Sequence, residues 1–243
     1  MKSLRLDVQL VTLGLARSRE EAQRLILAGE VRIGDRIAAK PSEKVSADVA
    51  VALERRRSRF VSRGGEKLEG ALRAFGYDVR GLVALDVGAS TGGFSDCLLR
   101  RGVRRVYALD VGYGQLDWSI RRDPRVVVIE RKNVRDLDAD AFAEPIELAV
   151  VDVSFISLGL VLPKLVEVVA AGAKIVALVK PQFEVGKGKV GKGGVVRDPD
   201  LQAEAVEGVR QRARQLGLVE RGFVESPLRG PKGNREFFLA WHR

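Results

Sequence analysis

Two charged residues directly follow apolar runs, which is an unusual place for a charge without a function. Asp152 comes after the run 148–151, and Lys180 comes after the run 175–179. A hydroxyl group is a poor nucleophile until it loses its proton. A lysine accepts that proton only when its own pKa is lowered, which burial or a nearby cation can achieve. Asp152 and Lys180 therefore indicate proton-transfer chemistry.

Two further charged residues are candidate partners for this pair. Lys67 lies in a predicted helix ahead of the main run of strands, and Glu236 begins the last predicted strand. A carboxylate near a lysine holds the amine in position, although it also favours the charged form. The spacing does not show that the four residues converge, and taken singly each such charge lies more often on the surface.

A glycine-rich segment at 84–94 joins a buried strand to a helix. Glycines let the backbone approach a ligand closely, and the helix start offers free N–H groups. The pattern is not the G-x-G-x-x-G of dinucleotide sites. Asp86, two residues before Gly88, would lie near a cationic group, which fits the sulfonium and ammonium of S-adenosylmethionine. The candidate cofactor residues of this segment are Asp86, Gly88, Ser90, Thr91, Gly92, Gly93 and Phe94.

The next two predicted strands also end in polar residues. Asp110 stands 22 residues after Gly88, where a carboxylate can accept hydrogen bonds from both ribose hydroxyls of a nucleoside. Val111 follows it. Asn133 and Asp136 come after the third strand, where an adenine edge would lie. The simpler alternatives are a strand-end cap for Asp110 and a turn for Asn133.

Apolar strands alternate with helical stretches from about residue 80 onward. This alternation predicts an α/β fold with a parallel sheet covered on both faces, where ligands bind at the carboxyl ends of the strands. The last two strands follow one another without a helix. Such a C-terminal antiparallel hairpin suits a class I (Rossmann-like) methyltransferase better than a nicotinamide dehydrogenase. The predicted strands are 82–87, 105–110, 126–130, 148–153, 173–180, 219–225 and 236–241.

The N-terminal segment is predicted to form a separate, small α+β domain. A first short helix is followed by a second, for which Ser18 and Glu21 have the spacing of a capping box. A tight hairpin at 31–37 and an extended run at 49–53 come next.

The positive charge is concentrated in this segment. Residues 1–63 hold fourteen Lys/Arg and eight Asp/Glu, a net +6 of the whole chain's +10. The asymmetry favours RNA as the partner over a merely solvated charge run. The arginine-rich run 55–59 marks a linker or a docking strip. We expect an RNA-binding domain at 1–58, a linker at 59–64 and a catalytic domain at 65–243.

Composition excludes several other classes. Cys97 is the single cysteine and His242 the single histidine, so neither an internal disulfide nor a zinc site is expected. The most apolar stretch, 158–180, is interrupted by charged residues, which argues against a membrane span. We expect a cytoplasmic protein with no metal and no stable membrane association.

Other methyl acceptors fit the sequence less well than a ribose hydroxyl. Amino-group methylation usually uses an Asp/Asn-Pro-Pro-Tyr/Phe motif after the fourth strand, whereas this chain has Asp152-Val-Ser-Phe155. Methylation at cytosine C5 needs a nucleophilic cysteine there. Cys97 instead follows the glycine-rich segment, where a small buried side chain is the expected role.

Aromatic and basic residues near the proposed site are candidate RNA contacts. The glycine- and lysine-rich loop 184–197 directly follows the Lys180 motif and could contact phosphates. Phe60, Phe155 and Phe183 could stack on a flipped base, but each is equally well a core residue.

The chain resembles a known family over nearly its whole length. It is similar to the TlyA family, often labelled hemolysin A, whose members are rRNA 2′-O-methyltransferases. The N-terminal domain resembles the ribosomal S-four type RNA-binding domain, and the catalytic domain resembles the FtsJ (RrmJ) fold. The motifs that carry the resemblance are 15–19, Val61-Ser-Arg-Gly-Gly65, 86–94, Asp110-Val-Gly-Tyr-Gly-Gln-Leu116, 152–157, Lys180-Pro-Gln-Phe-Glu184 and 191–198.

The resemblance implies roles that spacing alone does not. The Lys-Asp-Lys-Glu tetrad of the FtsJ fold corresponds to Lys67, Asp152, Lys180 and Glu236, with Asp152 also at the cofactor. It also implies cytidine in ribosomal RNA as the substrate and ribosomal subunits as the partner. We expect S-adenosylmethionine as the cofactor and a monomer without a protein partner. The alternatives are a non-catalytic RNA-binding assembly factor and a membrane-active hemolysin.

Overall fold

The protein consists of two compact units, Met1–Ser58 and Arg59–Arg243. Phe60, in the segment expected to be a linker, is buried in the core of the larger unit. Of the arginine-rich run 55–59, only Arg59 is among the described residues. The computed structural model describes residues 3–27, 29–38, 40–46, 48–53, 59–138, 140–230 and 232–243.

The small unit is an α+β fold built around two short helices. Helix α1 (Leu6–Thr12) packs against α2 (Arg19–Leu27), and Ser18 Oγ accepts a hydrogen bond from Glu21 N at 3.2 Å, as the capping-box spacing predicts. A two-stranded and a three-stranded sheet, ordered β1–β4 and β3–β2–β5, complete it. The strands are β1 (Ser3–Arg5), β2 (Val31–Ile33), β3 (Arg36–Ile37), β4 (Lys44–Ser46) and β5 (Val51–Leu53).

The larger unit is organised by one sheet, which in the described part of the chain has seven strands. Their order is β11–β12–β10–β9–β6–β7–β8, and five adjacent strands from β10 to β8 run parallel. The last strand, β12, pairs antiparallel with both β10 and β11. The predicted fold class and its C-terminal hairpin are confirmed. The strands are β6 (Val83–Val87), β7 (Arg105–Leu109), β8 (Val126–Ile129), β9 (Ile146–Val151), β10 (Val169–Val179), β11 (Val219–Glu225) and β12 (Phe237–His242).

Helices cover both faces of this sheet, which explains why its strands are apolar throughout. Along β6, Leu85 belongs to one buried cluster and Ala84 to the other, as the two-residue period of a strand requires. The first cluster includes helices α6 and α8, and the second includes α3 and α4. The helices are α3 (Arg63–Ala74), α4 (Gly93–Arg100), α5 (Trp118–Arg121), α6 (Leu158–Val168), α7 (Pro181–Glu184) and α8 (Pro199–Gln215).

The apolar stretch 158–180 is a helix followed directly by a strand. Strand β10 begins at Val169, four residues earlier than its pattern predicts, and its register against β9 shifts between Val169 and Lys174. Gly172, at a φ of 76°, lies within this irregularity. No helix in the described ranges is both long and apolar enough to cross a membrane.

Candidate active site

Three of the four predicted catalytic residues extend neighbouring strands at one edge of the sheet. Val179 of β10 is paired with Phe237 of β12, so Lys180 and Glu236 continue these two adjacent strands at the same end. Strand β9 lies on the other side of β10 and ends immediately before Asp152. Chain topology therefore gathers side chains that the sequence separates widely.

Lys180 is held by two oxygen atoms. Its Nζ lies 2.6 Å from Asp152 Oδ1 and donates a hydrogen bond of 2.9 Å to Ser154 Oγ. Only 9% of Lys180 is exposed. The amine is therefore fixed at the end of β10, with little freedom to rotate away.

Lys67 and Glu236 form a second ion pair, with 2.6 Å between Nζ and Oε2. Helix α3 carries Lys67 and begins at Ser62, whose Oγ accepts a hydrogen bond from Gly64 N. Glu236 is 1% exposed and Lys67 8%. Gly230 lies so close that a Cβ there would be 2.4 Å from Glu236 Oε1.

Loss of one partner from either ion pair would destabilise the folded protein. Removing one member of a buried ion pair typically costs about 3–5 kcal/mol, because the other charge remains without compensation. Two buried lysines, each matched by a carboxylate, are therefore an arrangement with a specific use. Among the described residues no group of three or more His, Cys, Asp or Glu could hold a metal ion.

A cleft of about 850 Å³ opens at the same edge of the sheet. Gly88 has a φ of 86°, and a Cβ there would be 2.5 Å from the Asp152 carbonyl oxygen. This close approach of the ends of β6 and β9 requires glycine. The predicted cofactor residues that line the cleft are Gly88, Ser90, Asp110, Val111, Asn133 and Asp152.

The cleft has the polar groups that a nucleoside requires. Asp110 accepts hydrogen bonds from Ser90 N at 2.8 Å and from Gly112 N at 2.6 Å, one on each carboxylate oxygen. Each oxygen keeps a lone pair for a ribose hydroxyl. Asn133 Oδ1 accepts from Arg135 N at 3.0 Å, which leaves its amide N–H groups available for a base edge. These residues fit the nucleoside part of S-adenosylmethionine.

The other predicted cofactor residues do not line the cleft. Asp86 is fully buried and accepts a hydrogen bond of 2.7 Å from Ser95 Oγ, and burial raises the pKa of its carboxyl to about 7. Asp136 is exposed in a short 3-10 turn. Gly93 and Phe94 begin α4; Gly92, with a φ of 93°, is its N-cap, and Thr91 precedes it.

The cleft also contains residues that sequence reasoning missed or left open. Ser154, which anchors Lys180, was not identified, since a serine after a strand carries little signal. Phe155 is 90% exposed with a φ of 65°, and its ring lies 5.1 Å from that of Phe183, which also lines the cleft. Phe60, by contrast, is a core residue.

The loop 184–197 is attached to the segment that leads into β12 and contains Glu236. Asn234 is 3% exposed, accepts a hydrogen bond from Val196 N and donates one to the Gly194 carbonyl, both at 2.9 Å. Gln202 of α8 donates to the Val196 carbonyl at 2.8 Å. The far end of this loop is therefore fixed beside the tetrad.

Comparisons with known proteins agree with this geometry. Residues 60–243 match the FtsJ-like methyltransferase family, and residues 4–51 match the S4 domain. The chain is 55% identical to the 16S/23S rRNA (cytidine-2′-O)-methyltransferase TlyA of Mycobacterium tuberculosis, over 98% of this chain and 89% of that protein. It is 40% identical to Hemolysin A of Brachyspira hyodysenteriae, over 96% of this chain and 98% of the relative.

Solved structures give the same result. A candidate hemolysin from Streptococcus thermophilus superposes with a TM-score of 0.78 at 40% identity, covering all of this chain and 89% of that one. The N-methyltransferase NodS of Bradyrhizobium japonicum, with a TM-score of 0.51 at 14% identity over 74% of this chain and 94% of that one, shares the fold alone. Given the matched range and these identities, the chain belongs to the FtsJ-like methyltransferase family and, within it, to the TlyA relatives that carry an S4 domain.

Proposed function

We propose that the protein transfers a methyl group from S-adenosylmethionine to the 2′-hydroxyl of a cytidine in ribosomal RNA. Two ion pairs carry this proposal: Lys180 with Asp152 at the ends of neighbouring strands, and Lys67 of α3 with Glu236 directly ahead of β12. They lie at the edge of the sheet where a nucleoside-sized cleft opens. The printed names of the mycobacterial relatives support the cytidine and the ribosomal substrate.

The residues of the tetrad divide the chemistry between them. Asp110 and Asn133 would hold S-adenosylmethionine, which would supply the electrophilic methyl group. Lys180 is the base that takes the proton from the ribose 2′-hydroxyl, a step that requires the amine to release its own proton first, while Asp152 and Ser154 keep the amine at the site. Lys67, oriented by Glu236, contributes a positive charge that stabilises the developing alkoxide.

The partner of the small unit is proposed to be RNA. The S4 domain match supports this assignment, and so does the charge of residues 1–58, which hold twelve Lys/Arg and eight Asp/Glu, a net +4. We propose that Phe155 and Phe183 stack on the target base once this base is flipped out of the RNA helix. The proposed domains are 1–58 for RNA binding and 65–243 for catalysis; residues 59–64, expected as a linker, belong to the larger unit, since Phe60 is in its core. We also propose that the protein is a cytoplasmic monomer without a protein partner.

Methyl transfer from isotopically labelled S-adenosylmethionine to isolated small and large ribosomal subunits tests this function. We expect incorporation that maps to a cytidine 2′-oxygen. Lys180→Ala should lower the rate by at least about 100-fold, because a positioned general base contributes 10²–10⁴-fold. Lys164→Ala is the matched control, since that lysine is paired with Glu167 on an exposed part of α6.

The outcomes separate the alternatives. Full methyl transfer by Lys180→Ala would contradict the mechanism. RNA binding without any methyl transfer would favour an assembly factor. Leakage of liposomes caused by RNA-free protein, without methyl transfer, would favour the membrane-active function that the hemolysin names suggest.

A further inference from the structure

Two exposed aromatic rings and two arginines lie on the segments that follow β7 and β8 and on or next to α5, and the segment that holds Tyr113 borders the cofactor cleft. We call Tyr113, Trp118, Arg122 and Arg131 the aromatic-arginine ridge. Tyr113 is 67% exposed and Trp118 62%, which is a large apolar area to leave in water. Neither ring belongs to a buried cluster of the larger unit. The usual reason for such side chains, packing a core, does not apply here.

Each ring is covered on one side by a guanidinium group. Arg131 Cζ lies 4.2 Å from the centre of the Tyr113 ring, and Arg122 Cζ lies 4.3 Å from the Trp118 ring. Within the described ranges, neither arginine forms an ion pair with a carboxylate. The positive charges are therefore free to bind an anion while they support the rings.

The backbone of the ridge is rigidly attached to the cofactor cleft. Arg131 has a φ of 57° and donates its N–H to the Gly112 carbonyl, and Glu130 accepts from Gly114 N at 2.9 Å and pairs with Arg121. Tyr113 lies between Val111 and Gln115, both of which line the cleft. A strained arginine held by several local bonds indicates a conformation maintained for a purpose.

We propose that the ridge binds an unpaired stretch of the RNA substrate beside the target nucleotide. Exposed rings stack on bases without sequence preference, and neighbouring arginines bind phosphates and extend the stacking plane. An RNA strand has both kinds of group at short intervals. This inference rests on the proposed function, since it assigns a further RNA contact to that enzyme.

A similar ring and arginine elsewhere on the sheet serve as a control. Phe223 of β11 is 45% exposed and has Arg210 Cζ 4.7 Å from its ring centre, but β11 lies at the opposite edge of the sheet from β8. Phe223→Ala removes an exposed ring without touching the cleft. It should leave RNA affinity unchanged.

The chain provides its own probe for stacking. It has two tryptophans, of which Trp118 is exposed and Trp241 is 1% exposed. Collisional quenching by acrylamide therefore reports mainly on Trp118. We expect a single-stranded RNA oligonucleotide of mixed sequence to lower the fluorescence of Trp118. The Trp118 fluorescence that remains should be quenched less by acrylamide when this RNA is bound. In Lys180→Ala the RNA should quench Trp118 as much as in the wild type, because RNA binding does not require methyl transfer.

Affinity measurements complete the test. Tyr113→Ala and Trp118→Ala should each weaken binding of the oligonucleotide and raise KM for ribosomal subunits by about tenfold, the usual loss for one stacked base. Arg122→Gln and Arg131→Gln should each lower the salt slope of binding by about one. The Kd for S-adenosylmethionine, measured by calorimetry, should stay unchanged in all four variants.

Three outcomes would overturn the inference. The first is wild-type RNA affinity in the Tyr113→Ala, Trp118→Ala double variant. The second is Trp118 emission that does not respond to RNA. The third is loss of S-adenosylmethionine affinity alone, which would make the ridge a wall of the cofactor site. If the wild type transferred no methyl group but RNA still quenched Trp118, the proposed function would be refuted. The inference that the ridge binds RNA would still hold.

Discussion

Asp86 lies within β6 and Asp110 directly follows the adjacent strand β7, but the two carboxyl groups have opposite environments. Asp110 lines the cleft and accepts two backbone hydrogen bonds, whereas Asp86 is fully buried with one hydroxyl partner, Ser95. Asp86 Oδ1 has no hydrogen-bond partner among the described residues. Burial without compensation penalises the charged carboxylate, which is why the pKa of Asp86 is raised to about 7.

The raised pKa of Asp86 makes stability depend on pH. In the unfolded chain this carboxyl titrates near its ordinary value of 3.8, and in the folded protein near 7. Between these values the folded state keeps a proton that the unfolded state has lost. The free energy of unfolding therefore falls as pH rises through this window and levels off above it, by at most about 4 kcal/mol.

Asp86→Asn, a neutral side chain of the same shape, should remove this slope. We expect the variant to be more stable than the wild type at pH 8, as measured by urea denaturation at pH 5 and pH 8. Asp136→Asn, at an exposed position, should change stability by less than about 0.5 kcal/mol. An unchanged pH slope in Asp86→Asn would show that other groups cause it.

Ser154 is expected to act as a positioning residue for Lys180. Its hydroxyl is the second anchor of the lysine Nζ. Ser154→Ala should lower kcat by about tenfold, because a slightly misplaced base loses much of its effect. The Kd for S-adenosylmethionine should not change. Ser154→Thr restores a hydroxyl and should recover most of the rate; equal losses in both variants would argue for a purely structural role.

At the scale of elements, strand pairing is what assembles the tetrad. The register of β10 against β9 and β12 brings Asp152, Lys180 and Glu236 to one edge. The sequence predicted the strands well, since apolar runs bounded by polar residues are a local signal. Pairing partners and register are non-local, so the convergence itself could not be predicted from spacing.

Asn234 connects two of these elements. It bonds to the backbone at Gly194 and Val196, at the far end of the loop that follows Lys180. Asn234→Ala should destabilise the protein by about 1–3 kcal/mol, because the buried Val196 N–H loses its acceptor. Hydrogen exchange should become faster in residues 186–197 before it does so in the sheet. Arg229→Ala, at an exposed position of the same connection, should leave this exchange unchanged.

At the scale of the whole molecule, we expect substitutions in the small unit to change binding of the ribosomal substrate without changing binding of the cofactor. The small unit carries arginines arranged by a fully buried carboxylate. Asp7 accepts hydrogen bonds from Arg5, Arg19 and Gln23, and Arg5 is the first cause that holds the pKa of Asp7 well below its usual range. The side chain of Arg19 is 55% exposed and stays available to phosphates.

Arg19→Gln should therefore weaken substrate binding without affecting the cofactor. Asp7 keeps Arg5 and Gln23 as partners, so the fold is retained. We expect KM for ribosomal subunits to rise several-fold and the salt slope of binding to fall by about one. The Kd for S-adenosylmethionine should be unchanged. Arg80→Gln, a matched loss of exposed charge in the larger unit, should leave KM near the wild-type value.

The sequence by itself determined the elements, the two-part organisation and the charged residues at the strand ends. Those features follow from side-chain periodicity and burial, which are local. Only the tertiary structure decided which charges meet: Lys67 and Glu236 are 169 residues apart in the chain and 2.6 Å apart in space. It likewise buried Asp86 and exposed Phe155, because burial depends on the neighbours that distant segments supply.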